Sequence, residues 1–377
     1  MNMFEHEDSL LAIHENVALG EKLVLLHGVI RASFPFVARI AVATYDAKTD
    51  LLKTFVHSSG DDQPLRNYQA RLSATPSLVE ILENGRPRVV NDLAIFHAGD
   101  HEHTQRIGQQ GYASSYTMPM YTHGQLFGFI FFNSYDKAPF TEQVLRQIDP
   151  YGHLIALTVI NELMTVQTLL ATVKTARDMA HLRDDETGAH QDRMSRYARL
   201  IAMKLADRYG FSDEYIENVF IFSPLHDIGK MGVPDNILLK PGRLTEEEFG
   251  TMKTHPVLGR QLVDQLIGNF ELGSMRHIDI LRNIVELHHE AVDRSGYPHG
   301  LSGGDIPIEA RITAVADVFD ALTSRRPYKQ AWSNAEAFAM LRQLQGVKLD
   351  PECVDVLIAS EGEVGEIQRM FGENVVG

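Results

Sequence analysis

Hydrophobic periodicity changes character partway along this chain of 377 residues, and that change limits the fold more than any single residue does. Before about residue 150, short helical patterns alternate with strand-like runs; after about 175 the alternation stops and the pattern is helical throughout. In the first part, strands are expected over 39–45, 51–57, 87–91, 115–121 and 126–133, and helices over 10–33 and 77–84. His123 and Gly124 read as a short hairpin connection, and Thr141 as the cap of the next helix. In the second part, helices are expected over 192–208, 213–227, 245–253, 255–267, 276–290, 309–324 and 333–344. The Gly- and Pro-rich stretch 295–307 reads as a loop. The fold class that follows is multidomain α+β: an N-terminal antiparallel sheet with flanking helices (1–150), a long linker helix (151–182) and a C-terminal all-α domain (183–377).

A chain of this length can bury two cores. Cys353 is the one cysteine, which rules out an intramolecular disulfide framework and a thiolate metal cage. The net charge of −15 argues against a general DNA-binding surface, which needs clustered Lys and Arg. It does not exclude a small phosphate substrate, because local cations and bound metals set the potential inside a site. The acidic start lacks the features of a signal peptide, and no apolar run approaches a membrane span of roughly 20 residues. A cytoplasmic protein without membrane contact is expected.

Between the two parts a helical pattern runs from about 149 to 182. Ala156, Val159, Leu163, Val166, Leu170 and Val173 fall at alternating spacings of three and four. That is a short heptad seam. It fits either a helix packed on its own domain or a parallel two-stranded coiled coil carrying movement between domains. The coiled coil, and with it a homodimer through the linker, is preferred because the helix leads directly into Glu186.

The residues that carry chemistry lie in the helical part. Glu186 and His190 are four apart, so on a helix they share a face. His226 and Asp227 are adjacent; a helix would point them about 100° apart, within reach of a cluster lying beside them. Asp227 has two oxygens and can bridge two cations. Lys230, one turn on, suits a phosphate oxygen or a leaving oxygen better than a metal. His255 precedes Pro256 at a helix start. His288 and His289 end an apolar segment, and Asp317 and Asp320 lie on a helix rich in Ala and Val, where an unpaired carboxylate is costly. The five His with Glu186, Asp227 and Asp317 suit two or three divalent first-row ions, and iron, manganese, zinc, cobalt and nickel are all possible on chemistry alone. Two such ions about 3.5–4 Å apart can activate water and clamp a phosphate, which implies phosphodiester hydrolysis. A second His cluster, in the loop 97–103, reads as solvated surface.

Two resemblances organise these observations. Most of 20–160 resembles a GAF domain, through Gly85-Arg-Pro-Arg-Val-Val-Asn-Asp92, Gly111-Tyr-Ala-Ser-Ser-Tyr-Thr-Met-Pro-Met120, Gly124-Gln-Leu-Phe-Gly128 and Phe140-Thr-Glu142. This implies a sensory module with an unidentified small-molecule ligand, and the lack of cysteine before Cys353 excludes a thioether-linked chromophore. Residues 180–345 resemble the HD-GYP domain, a branch of the HD phosphohydrolases that degrades cyclic di-GMP. The matching blocks are Asp185-Glu-Thr-Gly-Ala-His-Gln-Asp-Arg193, Leu225-His-Asp-Ile-Gly-Lys-Met-Gly-Val-Pro-Asp235, Ile237-Leu-Leu-Lys-Pro-Gly-Arg-Leu-Thr245, Thr254-His-Pro-Val-Leu-Gly259 and His288-His-Glu-Ala-Val-Asp-Arg-Ser-Gly-Tyr-Pro298, followed by 310–329.

The second resemblance implies that Glu186, His190, His226, Asp227, His255, His288, His289 and Asp317 are metal ligands, with Glu186 the mark of members that carry a third ion. Asp227 and Lys230 become catalytic. Lys230, Asp320, Arg326, Lys329 and Tyr297 become substrate contacts, and the loop around Tyr297 a docking site for a GGDEF-domain partner. The implied reaction opens cyclic di-GMP to linear pGpG, with further cutting to GMP as an extension. The alternatives are a weakly active metal- and nucleotide-binding signalling scaffold and a phosphodiesterase for another cyclic dinucleotide. One departure stands out. The family has Gly after Asp293 where this chain has Arg294, so an arginine there either adopts a positive φ at a cost or changes the loop.

Overall fold

The computed structural model describes residues 8–15, 17–60, 68–93, 111–179, 188–270, 277–324 and 330–372. The loop 97–103, Glu186, Arg326 and Lys329 lie outside them. The chain divides into two compact units, 1–169 and 170–377.

The first unit is a six-stranded sheet. Its strands are β1 (Arg39–Asp46), β2 (Leu51–Ser58), β3 (Gln69–Arg71), β4 (Arg88–Val90), β5 (Ser114–Thr122) and β6 (Gln125–Ser134), in the spatial order β3-β2-β1-β6-β5-β4. Every described pairing is antiparallel. His123 and Gly124 join β5 to β6 with φ of 49° and 77°, the left-handed pair that matches strand twist in a two-residue hairpin. The strands fall where alternation predicted them, except that three-residue β3 was too short to announce itself. The expected helix over 10–33 is instead a 3₁₀ turn (Leu11–His14) and α1 (Leu19–Ser33).

Period-two alternation gives the sheet two apolar faces. On one, Leu52 and Phe129 meet Leu78 and Ile81 of α2 (Pro76–Asn84), which Gly85 ends in the left-handed conformation. On the other, Met118 and Phe132 lie against α3 (Glu142–Met179); a Cβ on Gly152 would come within 2.3 Å of Met118 Sδ, so the helix sits close because that residue is glycine. Asp149 of α3 accepts a 2.5 Å hydrogen bond from the Tyr116 hydroxyl. Thr141 Oγ1 caps α3 as expected. Pro150 lies within α3, a feature the periodicity alone passes over.

The linker seam is put to a local use. Val159, Leu163 and Val166 are already buried within a single chain, and Glu162 pairs with Lys22 of α1 at 3.7 Å. Over this stretch the apolar stripe serves intrachain packing rather than a partner helix. The side chains of Leu170 and Val173 lie outside those described.

Among the described residues the second unit is helical, with nothing longer than isolated β-bridges. Its elements are α4 (Gly188–Tyr209), α5 (Asp213–Phe222), α6 (Asp235–Leu238), α7 (Glu246–Met252), α8 (His255–Asn269), α9 (Ile278–Leu287), α10 (Ile308–Thr323), α11 (Asn334–Leu344), α12 (Pro351–Ala359) and α13 (Glu361–Met370). Capping boxes start α7 at Thr245 and α11 at Ser333. The core centres on α4 and α10: Tyr197 meets Phe319 edge-on at 5.1 Å, and Phe319 stacks on Phe338 at 5.3 Å. The helix expected over 213–227 stops at Phe222, because Pro224 cannot donate to its ladder, and 3₁₀ turns follow over Ser223–Leu225 and Ile228–Gly232. His226 and Asp227 therefore sit between two tight turns and not on a regular helix. Among the described residues no helix is long and apolar enough to cross a membrane.

His27 of α1 carries a pH dependence for the first unit. Its Nε2–H donates to the Val37 carbonyl at 2.9 Å, so in the neutral ring Nδ1 accepts from the Ser58 hydroxyl at 2.7 Å. Burial pushes the imidazole below its ordinary value of 6.5; the Val37 carbonyl opposes this and Arg31 adds to it. With the folded pKa depressed, the contribution is fully present above about pH 6.5 and is lost as pH falls below it, where the unfolded chain binds the proton first. Denaturant unfolding of the wild type should show stability falling with acid through this range. H27Q should flatten that component of the slope.

Candidate metal centre

Five separate chain segments supply one cluster. His190 comes from α4, His226 and Asp227 from between the 3₁₀ turns, His255 from the start of α8, His288 and His289 from the end of α9, and Asp317 from α10. Two subsets have ligand atoms lying within 4.8 Å of one another: Asp227, His255, His288 and His289; and His190, His226 and Asp317. Seven of the eight expected ligands are thus brought together, and the eighth, Glu186, lies outside the described residues.

Asp227 joins the subsets. Its Oδ1 is 3.0 Å from His255 Nε2 and 3.7 Å from His288 Nε2, while Oδ2 is 3.1 Å from His226 Nε2 and 2.8 Å from Lys230 Nζ. Asp317 Oδ1 lies 3.8 Å from His226 Nε2 and 3.9 Å from His190 Nε2.

The second nitrogen of each ring explains the first. Nδ1–H donates to a main-chain carbonyl in three cases: His226 to Ser223 at 2.9 Å, His255 to Met252 at 2.9 Å and His288 to Ile284 at 3.0 Å. In His190 it donates to Asp320 Oδ2 at 2.7 Å. A neutral imidazole with its proton on Nδ1 presents a lone pair at Nε2, the arrangement expected of a metal-ligating histidine. The Nε2 atoms of His255 and His288 and the Oδ1 of Asp227 are buried and make no hydrogen bond. At 3.0 Å, His255 Nε2 and Asp227 Oδ1 set lone pair against lone pair. Such a contact is costly with nothing between or beside it, and a divalent cation accepts both. The donor set of imidazole nitrogen and carboxylate oxygen fits that ion.

Burial alone would raise the Asp227 carboxyl, but the Lys230 ammonium beside it outweighs this and holds the group well below the usual carboxylate range. Burial pushes His288 and His289 down, so both rings stay neutral. A charged Asp227 carboxylate beside neutral His288 and His289 rings is the protonation a metal requires of these groups.

Close backbone contact makes the convergence possible. A Cβ on Gly229 would lie 1.8 Å from the His255 carbonyl oxygen and 2.4 Å from the Gly259 nitrogen, and one on Gly259 would lie 2.6 Å from Val285 Cγ1. The two glycines thus bring the turn after Asp227, the start of α8 and the helix before His288 into contact. Gly296 does the same for the loop beyond: a Cβ there would lie 2.2 Å from the Ala291 nitrogen.

Of the expected substrate contacts, Tyr297 lies at the cluster, its ring stacked on His289 at 4.7 Å and its N–H donating to the His289 carbonyl at 3.2 Å. Lys230 is partly exposed beside Asp227. Asp320 needs correction. It is completely buried, held by Arg193 at 2.7 and 3.0 Å, by the Ser324 hydroxyl at 2.8 Å and by His190, and so cannot touch substrate. Its place is behind His190. Arg193 and Glu290 went unassigned in the sequence. The buried Glu290 carboxylate accepts from the His299 and Leu301 amides at 2.7 and 2.8 Å and pins the loop after Tyr297. Its one signal was its place beside two histidines and before a glycine-rich loop. Arg294 settles the departure noted above: its φ is 70°, so arginine occupies the left-handed conformation.

Two family models match the chain, a GAF domain over residues 25–159 and an HD domain over 174–353. The cyclic di-GMP phosphodiesterase response regulator RpfG of Xanthomonas campestris pv. campestris is 46% identical over 190 residues, covering 50% of this chain and 47% of that protein. A probable cyclic di-GMP phosphodiesterase of Vibrio cholerae serotype O1 is 42% identical over 210 residues (54% and 47%). The 3'3'-cGAMP-specific phosphodiesterase 2 of the same organism is 35% identical over 225 residues (58% and 41%). The matched stretch spans about half the length, or less, of each relative.

Two substitutions test this geometry. G229A forces backbone against backbone and should cost about 3 kcal/mol in denaturant unfolding, the upper range for overpacking; metal uptake should fall with it. R294G relieves the left-handed arginine and should raise stability by roughly 0.5–1 kcal/mol once the extra freedom of the unfolded glycine is offset. Urea titration of each variant reads both.

Proposed function

We propose that this chain, which carries a GAF domain followed by an HD domain, is a metal-dependent phosphodiesterase that opens cyclic di-GMP to linear pGpG, with GMP as a further product, under control of the GAF domain. The observation that carries the reading is the Asp227 carboxylate, one oxygen turned to His255 and His288 and the other to His226. A carboxylate so placed can bridge the two ions of a dinuclear site.

Asp227, His255, His288 and His289 would hold one ion, and His190, His226, Asp227 and Asp317 a second; Glu186 is the candidate for a third. Iron is the first choice, with manganese, zinc, cobalt and nickel as alternatives. Bound there, divalent ions supply Lewis-acid polarisation of the phosphoryl group and lower the pKa of water. The chain's own residues do the rest. Asp227 stays ionised because the Lys230 ammonium beside it holds it so. Lys230 Nζ, 2.8 Å from Asp227, is placed to offset charge on a phosphate or departing sugar oxygen. Tyr297, on His289, forms one wall of the approach, and Arg326 and Lys329 are assigned to the dinucleotide's phosphate and guanine. A GGDEF-domain partner at the Tyr297 loop and a homodimer through the linker helix belong to the same proposal, although Val159, Leu163 and Val166 of the seam are already buried within one chain.

A second substrate reading is favoured by the 35% identity to a 3'3'-cGAMP-specific enzyme. Cyclic di-GMP and 3'3'-cGAMP offered together to the full chain, loaded anaerobically with Fe(II) or Mn(II), separate the two. Chromatography should show pGpG from cyclic di-GMP as the faster product. Faster loss of 3'3'-cGAMP replaces the substrate, and binding without either product sinks the enzyme reading. D227N should reduce turnover at least about 10³-fold, a loss in line with removal of a central catalytic group, with metal uptake lowered in parallel.

A further inference from the structure

Arg193 is a buried charge that the reaction proposed above does not use. All three guanidinium nitrogens are engaged. Nε donates to Asp320 Oδ1 at 2.7 Å, Nη2 to Asp320 Oδ2 at 3.0 Å and to Ser324 Oγ at 2.6 Å, and Nη1 to the Phe371 carbonyl at 2.9 Å. Arg193 is 5% exposed and Asp320 is 0% exposed. The fork leaves Asp320 Oδ2 directed at His190 Nδ1, 2.7 Å away and 130 residues distant in the chain.

A buried ion pair is a poor way to gain stability, since a well-packed apolar pair of the same volume does as well or better. What a bidentate fork supplies is direction. Here the direction passes along one line: Phe371 carbonyl and Ser324 hydroxyl hold Arg193, Arg193 holds Asp320, Asp320 fixes the proton on His190 Nδ1, and His190 Nε2 is thereby aimed at the Asp317 side of the cluster. His190 is set apart by this. His226, His255 and His288 are oriented by carbonyls of their own turns, whereas Nδ1 of His190 meets a carboxylate from another helix, 130 residues away.

We propose that Arg193 is a positioning residue for the ion held by His190 and Asp317, acting through Asp320, and that it leaves the ion held by His255, His288 and His289 unaffected. This rests on the metal-dependent reading above. Metal-ligand orientation of this kind is typically worth 10- to 100-fold in affinity.

The test is binding alone, without nucleotide. Mn(II) is titrated into the metal-stripped full chain and followed calorimetrically, with H190A and H255A identifying which step belongs to which group. R193K keeps the charge but loses the fork. It should weaken the His190 step about 10- to 100-fold and leave the His255 step within about twofold of wild type, a split that general destabilisation would not produce. If R193K does not fold, S324A decides: it keeps the Arg193–Asp320 pair, loosens it, and should show a smaller loss confined to the same step. Unchanged affinity at that step in the deciding variant, or equal losses at both steps, overturns the proposal while leaving the phosphodiesterase reading intact. A wild type that takes up no ion at the His190 group overturns both.

Discussion

The contact between Asp227 and the imidazoles is the constraint on which the second domain is built. A carboxylate held in its charged form faces nitrogen lone pairs at 3.0 to 3.7 Å inside the protein. Water would relieve such a contact at a surface; in a buried cluster only a cation or a proton can. The proton is opposed for His288 and His289, whose burial pushes their titration down. The arrangement is therefore organised for positive charge arriving from outside, and five helical segments are spent on holding it open.

Holding it open depends on residues with no chemistry of their own. Gly229 and Gly259 let two backbones touch, so that the turn bearing Asp227 and the helix starting at His255 meet. Any side chain at Gly229 would separate them by more than the spacing a shared ion tolerates. In His226-Asp227-Ile228-Gly229-Lys230 the ligands and the glycine thus act as a unit: the glycine sets the distance at which the ligands work.

How much of this could be read in the sequence follows from what each feature depends on. The convergence of seven of these side chains was legible because several imidazoles and carboxylates in mostly apolar segments have few other uses. The four long strands were legible because a sheet with two covered faces keeps period two. The break at Phe222 was missed because apolar spacing continues past it while the local cause, Pro224, acts on the backbone. Asp320 was misplaced because a carboxylate three residues beyond Asp317 looks equally available on a helical wheel; only its buried fork with Arg193, from another helix, shows which way it is used. The Nδ1 acceptors of the histidines were invisible for the same reason, since main-chain carbonyls carry no sequence signal.

The linker helix shows the opposite limit, a pattern that was legible and ambiguous. Spacings of three and four describe an apolar stripe but not what lies against it. Val159, Leu163 and Val166 find burial in their own chain, and the Lys22–Glu162 pair fastens α3 to α1 on that stretch. A signal passing from the GAF domain along α3 would thus begin in a helix gripped on one side by its own sheet, where Gly152 allows contact with Met118 and Asp149 accepts from Tyr116. Movement of the sheet is coupled to that helix by packing alone, without any need for a second chain over the same residues. Any dimeric coiled coil would have to begin further along, beyond Val166.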